Sequence, residues 1–316
     1  MMNILLSTDN NYVMPTGVLM HSIGENNTDA VDYHVLVNED FSDESRKTLQ
    51  TIAQRYASSI NFYVVDSQMV KDLPFGHDDM PQHVSIATYY RLFITKILPP
   101  TVHKILYLDG DMLVLKSLKS LWETNIDGYA LAVVHDMDEP MHLSEHRFPQ
   151  LRDKGYFNAG LLLINLDYWR KHACYKRFMD FVKDHYDKII FHDQDVLNCV
   201  LYDEKKWLPL TYNFQNGFIL ADRYKRHDLR LASEIDSCKY NPSIIHYTVN
   251  KKPWHVSCFH PYRQLWRDYK AMSCWRDKPL DEDKPTKLIH YIRNFLFRHN
   301  LYIPKYSRGE YERLEF

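Results

Sequence analysis

The sequence predicts an α/β protein whose mostly parallel sheet is flanked by helices. Apolar runs of strand length alternate with amphipathic segments of helical period through the first hundred residues, which is typical of parallel βα architectures. Apolar residues make up 45% of the 316-residue chain, so a packed globular protein with one large domain or two smaller ones is expected. The net charge of −2 predicts no general affinity for nucleic acid.

The first half of the chain supplies the alternation. Strands are predicted at residues 3–8, 32–37, 60–65 and 104–108, and helices at 13–23, 42–56 and 84–98. The helix at 42–56 opens on Ser42-Asp43-Glu44-Ser45, a segment rich in capping residues and first-turn acids. In the second half, strands are predicted at 118–122, 129–134, 157–165, 207–210 and 243–247, and helices at 166–186 and from 192 onward. The polar residues 136–155 are predicted to form a long loop.

Targeting signals are missing from the sequence. The five cysteines form no C-x-x-C pair, which argues against a disulfide framework or a zinc site and favours a reducing compartment. The N-terminus lacks the basic start and long apolar region of a signal peptide, and no apolar run is long enough to span a bilayer. A cytoplasmic protein is expected.

The C-terminal segment differs in composition from the rest. We predict a main domain at residues 1–275 and a basic amphipathic tail at 276–316. Within Lys287–Arg298, five apolar residues (Leu288, Ile289, Ile292, Phe295 and Leu296) share one helical face, and Lys287, Arg293 and Arg298 lie away from its centre. This pattern is typical of helices at membrane surfaces, so peripheral contact with the inner face of the cytoplasmic membrane is one prediction. The other is that the helix docks on the protein's own body.

Two carboxylates follow the strand at 104–108. In an extended backbone Asp109 and Asp111 would point the same way, and they would repel each other unless a cation, most simply a hard divalent metal, lay between them. The pattern D-x-D also occurs at 136/138, 193/195 and 281/283, and we interpret the first and last of these as solvated turn acids. Asp109 and Asp111 differ because they follow a buried strand, where α/β sheets bind ligands.

Two reaction classes fit this arrangement. In a phosphatase of the haloacid dehalogenase type, Asp109 would attack phosphorus. That motif normally lies on the first strand, however, and Leu113 stands where Thr or Val is usual. In a nucleotide-sugar transferase, both carboxylates would hold a metal that bridges the diphosphate. The pair by itself leaves both classes open.

Further motifs favour the transferase. The chain resembles the retaining glycosyltransferases of family 8, in particular bacterial lipopolysaccharide galactosyl- and glucosyltransferases. Six blocks carry the resemblance, in the family's order: Ser7–Tyr12, His83–Leu92, Leu106–Asp111, Tyr156–Gly160, Asp193–Asn198, and His246-Tyr247 with Lys252-Pro253-Trp254. They extend over residues 3 to about 255. The resemblance implies a GT-A fold, a Rossmann-like architecture of nucleotide-diphospho-sugar transferases.

The resemblance also implies site residues. Asp109, Asp111 and His246 match metal ligands for Mn²⁺, with Mg²⁺ as a substitute. The implied substrate contacts are Asp9, Asn11 and Tyr12 to the nucleotide, Asp109 and Lys252 on the diphosphate side, and Arg91, Asn158, Asp193 and Gln194 around the donor sugar. Of these, Arg91, Asp193 and Gln194 are the implied catalytic residues. One departure is Val249, where family members often have Gly close to phosphate; this residue lies outside those that the structure describes.

Seven of these residues also have a simpler interpretation. Asp9 could be a turn acid, Tyr12 a core-edge ring, His246 a core histidine, Asp193 a helix cap, Asn158 a strand-end cap, Arg91 a surface ion pair and Lys252 an exposed charge. The expected activity is metal-dependent, retaining transfer of galactose or glucose from a UDP-sugar to a hydroxyl of a glycan or lipid-linked glycan, as in lipopolysaccharide or other surface polysaccharide synthesis. A dehalogenase-type phosphatase and a non-catalytic sugar-nucleotide or glycan-binding protein are the alternatives.

Overall fold

The computed structural model describes residues 1–66, 86–137, 145–219, 229–248 and 251–282, together with Ile292, Phe295, Leu296 and Leu301. The strands are β1 (Met2–Thr8), β2 (Val31–Val37), β3 (Ser59–Val64), β4 (Lys104–Leu108), β5 (Met112–Val114), β6 (Leu131–His135), β7 (Phe157–Asn165), β8 (Lys205–Trp207), β9 (Phe214–Gln215) and β10 (Ile244–His246). The α-helices are α1 (Val13–Asn26), α2 (Asp43–Arg55), α3 (Ile94–Ile97), α4 (Lys119–Trp122), α5 (Leu166–Lys171), α6 (Cys174–His185), α7 (His192–Val200), α8 (Asn216–Ile219), α9 (Leu229–Cys238) and α10 (Arg263–Ala271). Short 3₁₀ helices lie at Ile86–Phe93, Pro149–Leu151, Tyr186–Lys188 and Leu210–Asn213.

A seven-stranded sheet in the order β3-β2-β1-β4-β7-β6-β8 forms the centre of the fold. Strand β1 pairs in parallel with β2 and β4, and β2 with β3. Strand β7 runs antiparallel to both β4 and β6, so its beginning lies at the same edge as the ends of β1 and β4. The sheet is therefore mixed but mostly parallel, and the predicted α/β class is confirmed.

Both faces of this sheet are covered. On β4, Leu106 and Leu108 pack into one apolar cluster, whereas Ile105 and Tyr107 pack into the other. Because alternate residues of the strand face two separate cores, every position has to be apolar or aromatic. This explains the continuous apolar run that precedes Asp109.

A second, three-stranded sheet has the order β5-β10-β9. Strand β5 starts directly after Asp111, and β10 pairs with it antiparallel, with His246 opposite Met112. The backbone N–H of Tyr247 donates to the carbonyl of Asp111 at 3.0 Å. This pairing brings His246 beside the two aspartates although it lies far along the chain.

Several element boundaries differ from the prediction. The strand predicted at 118–122 is wrong, because this segment forms the helix α4 with Leu118 directly before it. Leu118 and Leu121 are buried at helical spacing, and Asn27 Oδ1 accepts the N–H of Leu118 at 2.7 Å. The strand predicted at 207–210 ends at Trp207. The helix predicted at 166–186 is broken at Ala173, whose φ of 47° is left-handed.

Helix positions are mostly as predicted. Ser42 caps α2 by accepting the N–H of Ser45 at 3.1 Å, and two acids, Asp43 and Glu44, follow in the first turn. The helix predicted at 84–98 begins as the 3₁₀ segment Ile86–Phe93 and ends as α3, while residues 84 and 85 lie outside the described residues.

The predicted tail helix lies largely outside the described residues. Ile292, Phe295 and Leu296 are helical, and the side chains of Ile292 and Phe295 are exposed. At the start of the tail, Asp281 pairs with the loop that follows Lys252, donating its N–H to the carbonyl of Trp254 at 2.8 Å. None of the helices in the described part of the chain has the length and apolarity needed to cross a lipid bilayer.

Candidate active site

A cleft of about 690 Å³ opens where β1 and β4 end and β7 begins. Predicted site residues that line it are Asp9, Asn11, Tyr12, Arg91, Asp109, Asp111, Asn158, Asp193 and Gln194. The other two, His246 and Lys252, both contact Asp111. The fold therefore brings all the residues singled out from the sequence to one place.

The two aspartates of the predicted metal site lie in a turn. Asp109-Gly110-Asp111 connects β4 to β5, and the N–H of Met112 donates back to the carbonyl of Asp109 at 3.2 Å. The expectation of an extended backbone through Asp111 is therefore wrong, because the chain leaves the main sheet at Asp109 to enter the small one.

The carboxylates nevertheless converge on His246. Its Nε2 lies 3.2 Å from Asp111 Oδ1 and 3.9 Å from Asp109 Oδ2, and one ligand atom from each of the three residues lies within 4.8 Å of the others. Two carboxylates and an imidazole suit Mn²⁺ or Mg²⁺, so these residues fit the implied cation.

Gly160 on β7 forms the floor under this trio. A Cβ at this position would lie 2.4 Å from His246 Cε1 and 2.8 Å from Asp109 Oδ2, closer than real Cβ contacts. Only glycine lets β7 pass this close to the ligand atoms.

We predict that Gly160→Ala disrupts this trio. The added methyl group should push His246 and Asp109 apart and weaken Mn²⁺ binding by at least about tenfold, because ligand geometry controls affinity. Isothermal titration with Mn²⁺ measures this. Gly24→Ala on α1 is the matched control, since its Cβ would collide about as closely with the Tyr56 ring and with none of the trio; equal Mn²⁺ affinity in both variants would contradict the prediction.

Lys252 lies on the other side of Asp111. Its Nζ is 2.6 Å from Asp111 Oδ2 and donates to the carbonyl of Tyr247 at 2.6 Å. Burial alone would raise the pKa of Asp111, but the ammonium of Lys252, with a further contribution from His246 beside it, holds this pKa well below its usual range. Lys252 is therefore held at the site, and the simple interpretation as an exposed charge is wrong.

Arg91 is buried in the cleft wall. Its Nη2 lies 2.9 Å from Asp109 Oδ1 and its Nε lies 3.0 Å from Asp193 Oδ2, and its guanidinium sits 4.2 Å from the centre of the Tyr107 ring. Burial raises the pKa of Asp193 to about 7, against the opposing effect of Arg91. The surface-ion-pair interpretation of Arg91 is wrong, because it bridges two cleft carboxylates.

Asp9 has the turn role that its simpler interpretation predicts. Its Oδ1 accepts the backbone N–H groups of Asn11 at 2.9 Å and Tyr12 at 2.8 Å. Both of these hydrogen bonds end on Oδ1, and no described residue is recorded as a hydrogen-bond donor to Oδ2 of Asp9. Oδ2 is therefore available to a ligand. The ring of Tyr12 is half-buried and meets Trp254 edge-on at 5.4 Å, so it connects the Asp9 turn to the loop that carries Lys252.

The sequence did not single out Asp136 as a site residue. Its Oδ2 accepts from Asn158 Nδ2 at 3.0 Å and from Gln194 Nε2 at 3.2 Å, so its interpretation as a solvated turn acid is wrong. Gln194 is further fixed by the N–H of Ala159, which donates to Oε1 at 2.9 Å. The D-x-D pattern was the only signal for Asp136, and it did not distinguish this acid from the others; Asp138 lies outside the described residues.

The pair Asp193/Asp195 separates into two roles. Asp193 faces the cleft, whereas Asp195 is fully buried and accepts from Arg147 at 2.6 Å, from the Tyr156 hydroxyl at 2.8 Å and from two backbone N–H groups at 2.8 Å. Asp195 therefore holds the start of α7 in place.

We predict that Asp195→Asn lowers the free energy of unfolding by about 3–5 kcal/mol, because an amide would turn N–H groups toward existing donors and leave Arg147 without its countercharge. Chemical denaturation measures this. The control Asp203→Asn removes an exposed pair with Lys154 and should leave the free energy of unfolding nearly unchanged. Similar small losses in both variants would show that Asp195 is not a structural anchor.

The chain is similar to known proteins over a range that includes every residue of this site. The model of the family described as Glycosyl transferase family 8 matches residues 3–258. Lipopolysaccharide 1,3-galactosyltransferase of Salmonella typhimurium is 27% identical over 306 residues, 95% of this chain and 87% of that protein. Lipopolysaccharide 1,2-glucosyltransferase of Escherichia coli is 27% identical over 321 residues, 99% of this chain and 90% of that protein.

A solved structure shows the same architecture. The crystal structure of the galactosyltransferase LgtC in complex with donor and acceptor sugar analogs matches with a TM-score of 0.77 at 27% identity, over 88% of this chain and 100% of that chain. The mixed sheet with flanking helices is thus the GT-A fold of that galactosyltransferase, as predicted.

Proposed function

Because this chain belongs to glycosyl transferase family 8, we propose that it transfers galactose or glucose from a UDP-sugar to a hydroxyl group of a glycan, with retention of configuration and with a divalent cation. The observation that carries the proposal is the convergence of Asp109, Asp111 and His246 beside Lys252 at the cleft. Family membership decides against a dehalogenase-type phosphatase.

The charges of the site support departure of a diphosphate. A divalent cation bound by the trio would supply positive charge to the departing diphosphate, with Mn²⁺ as the expected ion and Mg²⁺ as a substitute. Lys252 provides a second positive charge, and its ammonium already lies within the same carboxylate cluster at 2.6 Å from Asp111. Preorganised charge of this kind is usually the largest contribution to catalysis.

Residues on the other wall would hold the donor sugar. Arg91 and Asp193 are fixed against each other at 3.0 Å and would hydrogen-bond sugar hydroxyls. With a pKa of about 7, Asp193 can donate or accept near neutral pH. Asn158 contacts the Gln194 side chain at 3.4 Å and completes this wall. Orientation by several fixed groups lowers the entropic cost of reaching the transition state.

The nucleotide would occupy the end of the cleft near β1. Asp9 would accept a hydrogen bond from the uracil ring through Oδ2, Tyr12 would stack on the base, and Asn11 would add a polar contact from the same turn. The hydrogen bonds from Asn11 and Tyr12 to Asp9 Oδ1 fix the turn for this purpose.

We expect Gln194 to face the anomeric carbon of the bound donor, where positive charge would develop. An amide is a poor nucleophile, and this one is held by Ala159 and Asp136, so we assign it to stabilising positive charge. The C–O bond to UDP breaks, the acceptor oxygen bonds to the anomeric carbon from the same face, and the leaving phosphate takes the hydroxyl proton. Assistance from a carboxylate on the opposite face, such as Asp136, is the alternative.

The acceptor and the setting follow from the relatives. Since the named relatives act on lipopolysaccharide, we propose a glycan or lipid-linked glycan of a bacterial surface polysaccharide as the acceptor. A cytoplasmic location, with the segment 276–316 as a basic tail that contacts the membrane surface, remains part of the proposal.

A donor screen tests the proposal. The purified chain is incubated with UDP-galactose, UDP-glucose, UDP-N-acetylglucosamine or GDP-mannose, with Mn²⁺ or with a chelator, and nucleotide release is measured. We expect UDP to be released from UDP-galactose or UDP-glucose when Mn²⁺ is present and not when the chelator is present. Binding of a UDP-sugar without turnover would favour the non-catalytic alternative, and hydrolysis of simple phosphomonoesters without UDP-sugar turnover would favour a phosphatase.

A further inference from the structure

Asn213 is a fully buried asparagine that connects the two walls of the cleft. It lies at the end of the 3₁₀ segment Leu210–Asn213, directly before β9, and its side chain is not accessible to solvent. Its Oδ1 is 3.0 Å from His246 Nδ1, and its Nδ2 donates to Asn158 Oδ1 at 2.9 Å. One side chain therefore contacts a proposed metal ligand and a proposed sugar-binding residue.

The orientation of these side-chain amides follows from a backbone donor. The N–H of Gly160 can only donate, and it lies 3.0 Å from Asn158 Oδ1, which fixes that atom as the oxygen. The Nδ2 of Asn158 agrees with this assignment, since it donates to the carboxylate of Asp136 at 3.0 Å. The atom of Asn213 that faces Asn158 Oδ1 must then be its nitrogen, and the atom that faces His246 must be its oxygen.

This assignment determines the tautomer of His246. An amide oxygen accepts only, so Nδ1 of His246 must carry the proton that it donates to Asn213. In the neutral ring, Nε2 then carries a lone pair, and it faces Asp111 Oδ1 at 3.2 Å. A lone pair and a carboxylate at this distance repel each other unless a cation is shared between them, and metal-binding histidines are commonly fixed by such a bond at the other nitrogen.

We propose that Asn213 is a positioning residue that holds His246 as the Nδ1–H tautomer and so presents Nε2 to the divalent cation. This proposal depends on the proposed function in one respect, namely that the cation at His246 is the divalent metal used in sugar transfer. Through Asn158, the same bonds connect the metal ligand to Gln194 and Asp136 on the sugar side. The two walls of the cleft therefore share one chain of buried hydrogen bonds.

The first test needs no variant. In ¹⁵N-histidine-labelled, metal-free protein at a pH where His246 is neutral, two-bond ¹⁵N–¹H correlation spectra distinguish Nδ1–H from Nε2–H rings, and the His246 signals are assigned with His246→Gln. We expect the Nδ1–H form. An Nε2–H ring would overturn the proposal.

The second test measures Mn²⁺ affinity by titration in the whole chain, without any sugar nucleotide. Asn213→Ala should weaken binding by about 10–100-fold, the usual cost of losing a group that orients a ligand. Asn213→Asp keeps the oxygen that accepts from His246 and should recover most of the affinity. It should still reduce turnover, because it loses the donor to Asn158.

Asn198→Ala is the matched control. Asn198 is as buried as Asn213 and bonds Phe157 and Gln194 backbone groups, so its loss should lower the melting temperature and leave Mn²⁺ affinity unchanged. Wild-type affinity in Asn213→Ala, or equal weakening in Ala and Asp variants, would overturn the proposal, as would a wild-type chain that binds no Mn²⁺. Mn²⁺ binding that depends on Asn213 in a chain that turns over no UDP-sugar would refute the proposed function alone.

Discussion

Asp111→Asn should abolish metal-dependent turnover, lowering kcat by at least about 10³-fold, since several kcal/mol of transition-state stabilisation depend on the cation. Asp111 contacts both the third proposed metal ligand, His246, and the proposed diphosphate-binding residue, Lys252. Its Oδ1 faces His246 at 3.2 Å and its Oδ2 faces Lys252 at 2.6 Å. The substitution keeps the size of the side chain but removes the negative charge on which both contacts depend.

Mn²⁺ titration and UDP release at saturating donor measure this effect separately. We expect Mn²⁺ affinity and kcat to fall together in Asp111→Asn. The melting temperature should fall as well, because the buried carboxylate is paired with Lys252, so both quantities are measured well below it. Asp127→Asn is the control, since Asp127 is exposed on a turn away from the cleft and its loss should leave both quantities unchanged. Near-normal turnover in Asp111→Asn would refute the metal assignment.

The strand that precedes Asp109 was predictable, because burial on both faces requires an unbroken apolar run. The turn at Asp109-Gly110-Asp111 was not predictable, since the chain leaves the main sheet only because β10 offers β5 a partner. Such pairing between distant segments leaves no local pattern in the sequence. His246 was therefore found by family resemblance, and its position opposite Met112 is the physical reason it belongs to the site.

The polar contacts behind the site were harder to predict. Asn213, Asp136 and Gly160 each contact residues of other elements, and an isolated Asn, Asp or Gly carries no periodic signal. The wrong strand at 118–122 has a similar cause, since the start of that segment is held by a residue of another part of the chain, Asn27, which accepts the N–H of Leu118. Sequence patterns report burial along one element, whereas these contacts depend on how elements meet.

Lys252→Ala should lower kcat by about 10²–10³-fold, the usual cost of removing one preorganised charge from a departing anion. Unlike Asp111→Asn, it should not weaken Mn²⁺ binding. The ammonium of Lys252 lies 2.6 Å from Asp111 Oδ2 and competes with any other cation for that carboxylate. Its removal should leave Mn²⁺ affinity unchanged or increased, while the chemical step slows.

Lys251→Ala is the matched control for this prediction. Lys251 is the neighbouring lysine, with similar burial, and no contact of Lys251 with Asp111 is among the described ion pairs of this site, so its loss should leave kcat nearly unchanged. A tenfold loss of Mn²⁺ affinity in Lys252→Ala would show that Lys252 supports the metal ligands instead of the diphosphate. A normal kcat would remove it from the mechanism. The two lysines are adjacent and similarly buried, and Lys252 is the one whose ammonium is held against Asp111 and the carbonyl of Tyr247, so we expect the loss of kcat in Lys252→Ala alone.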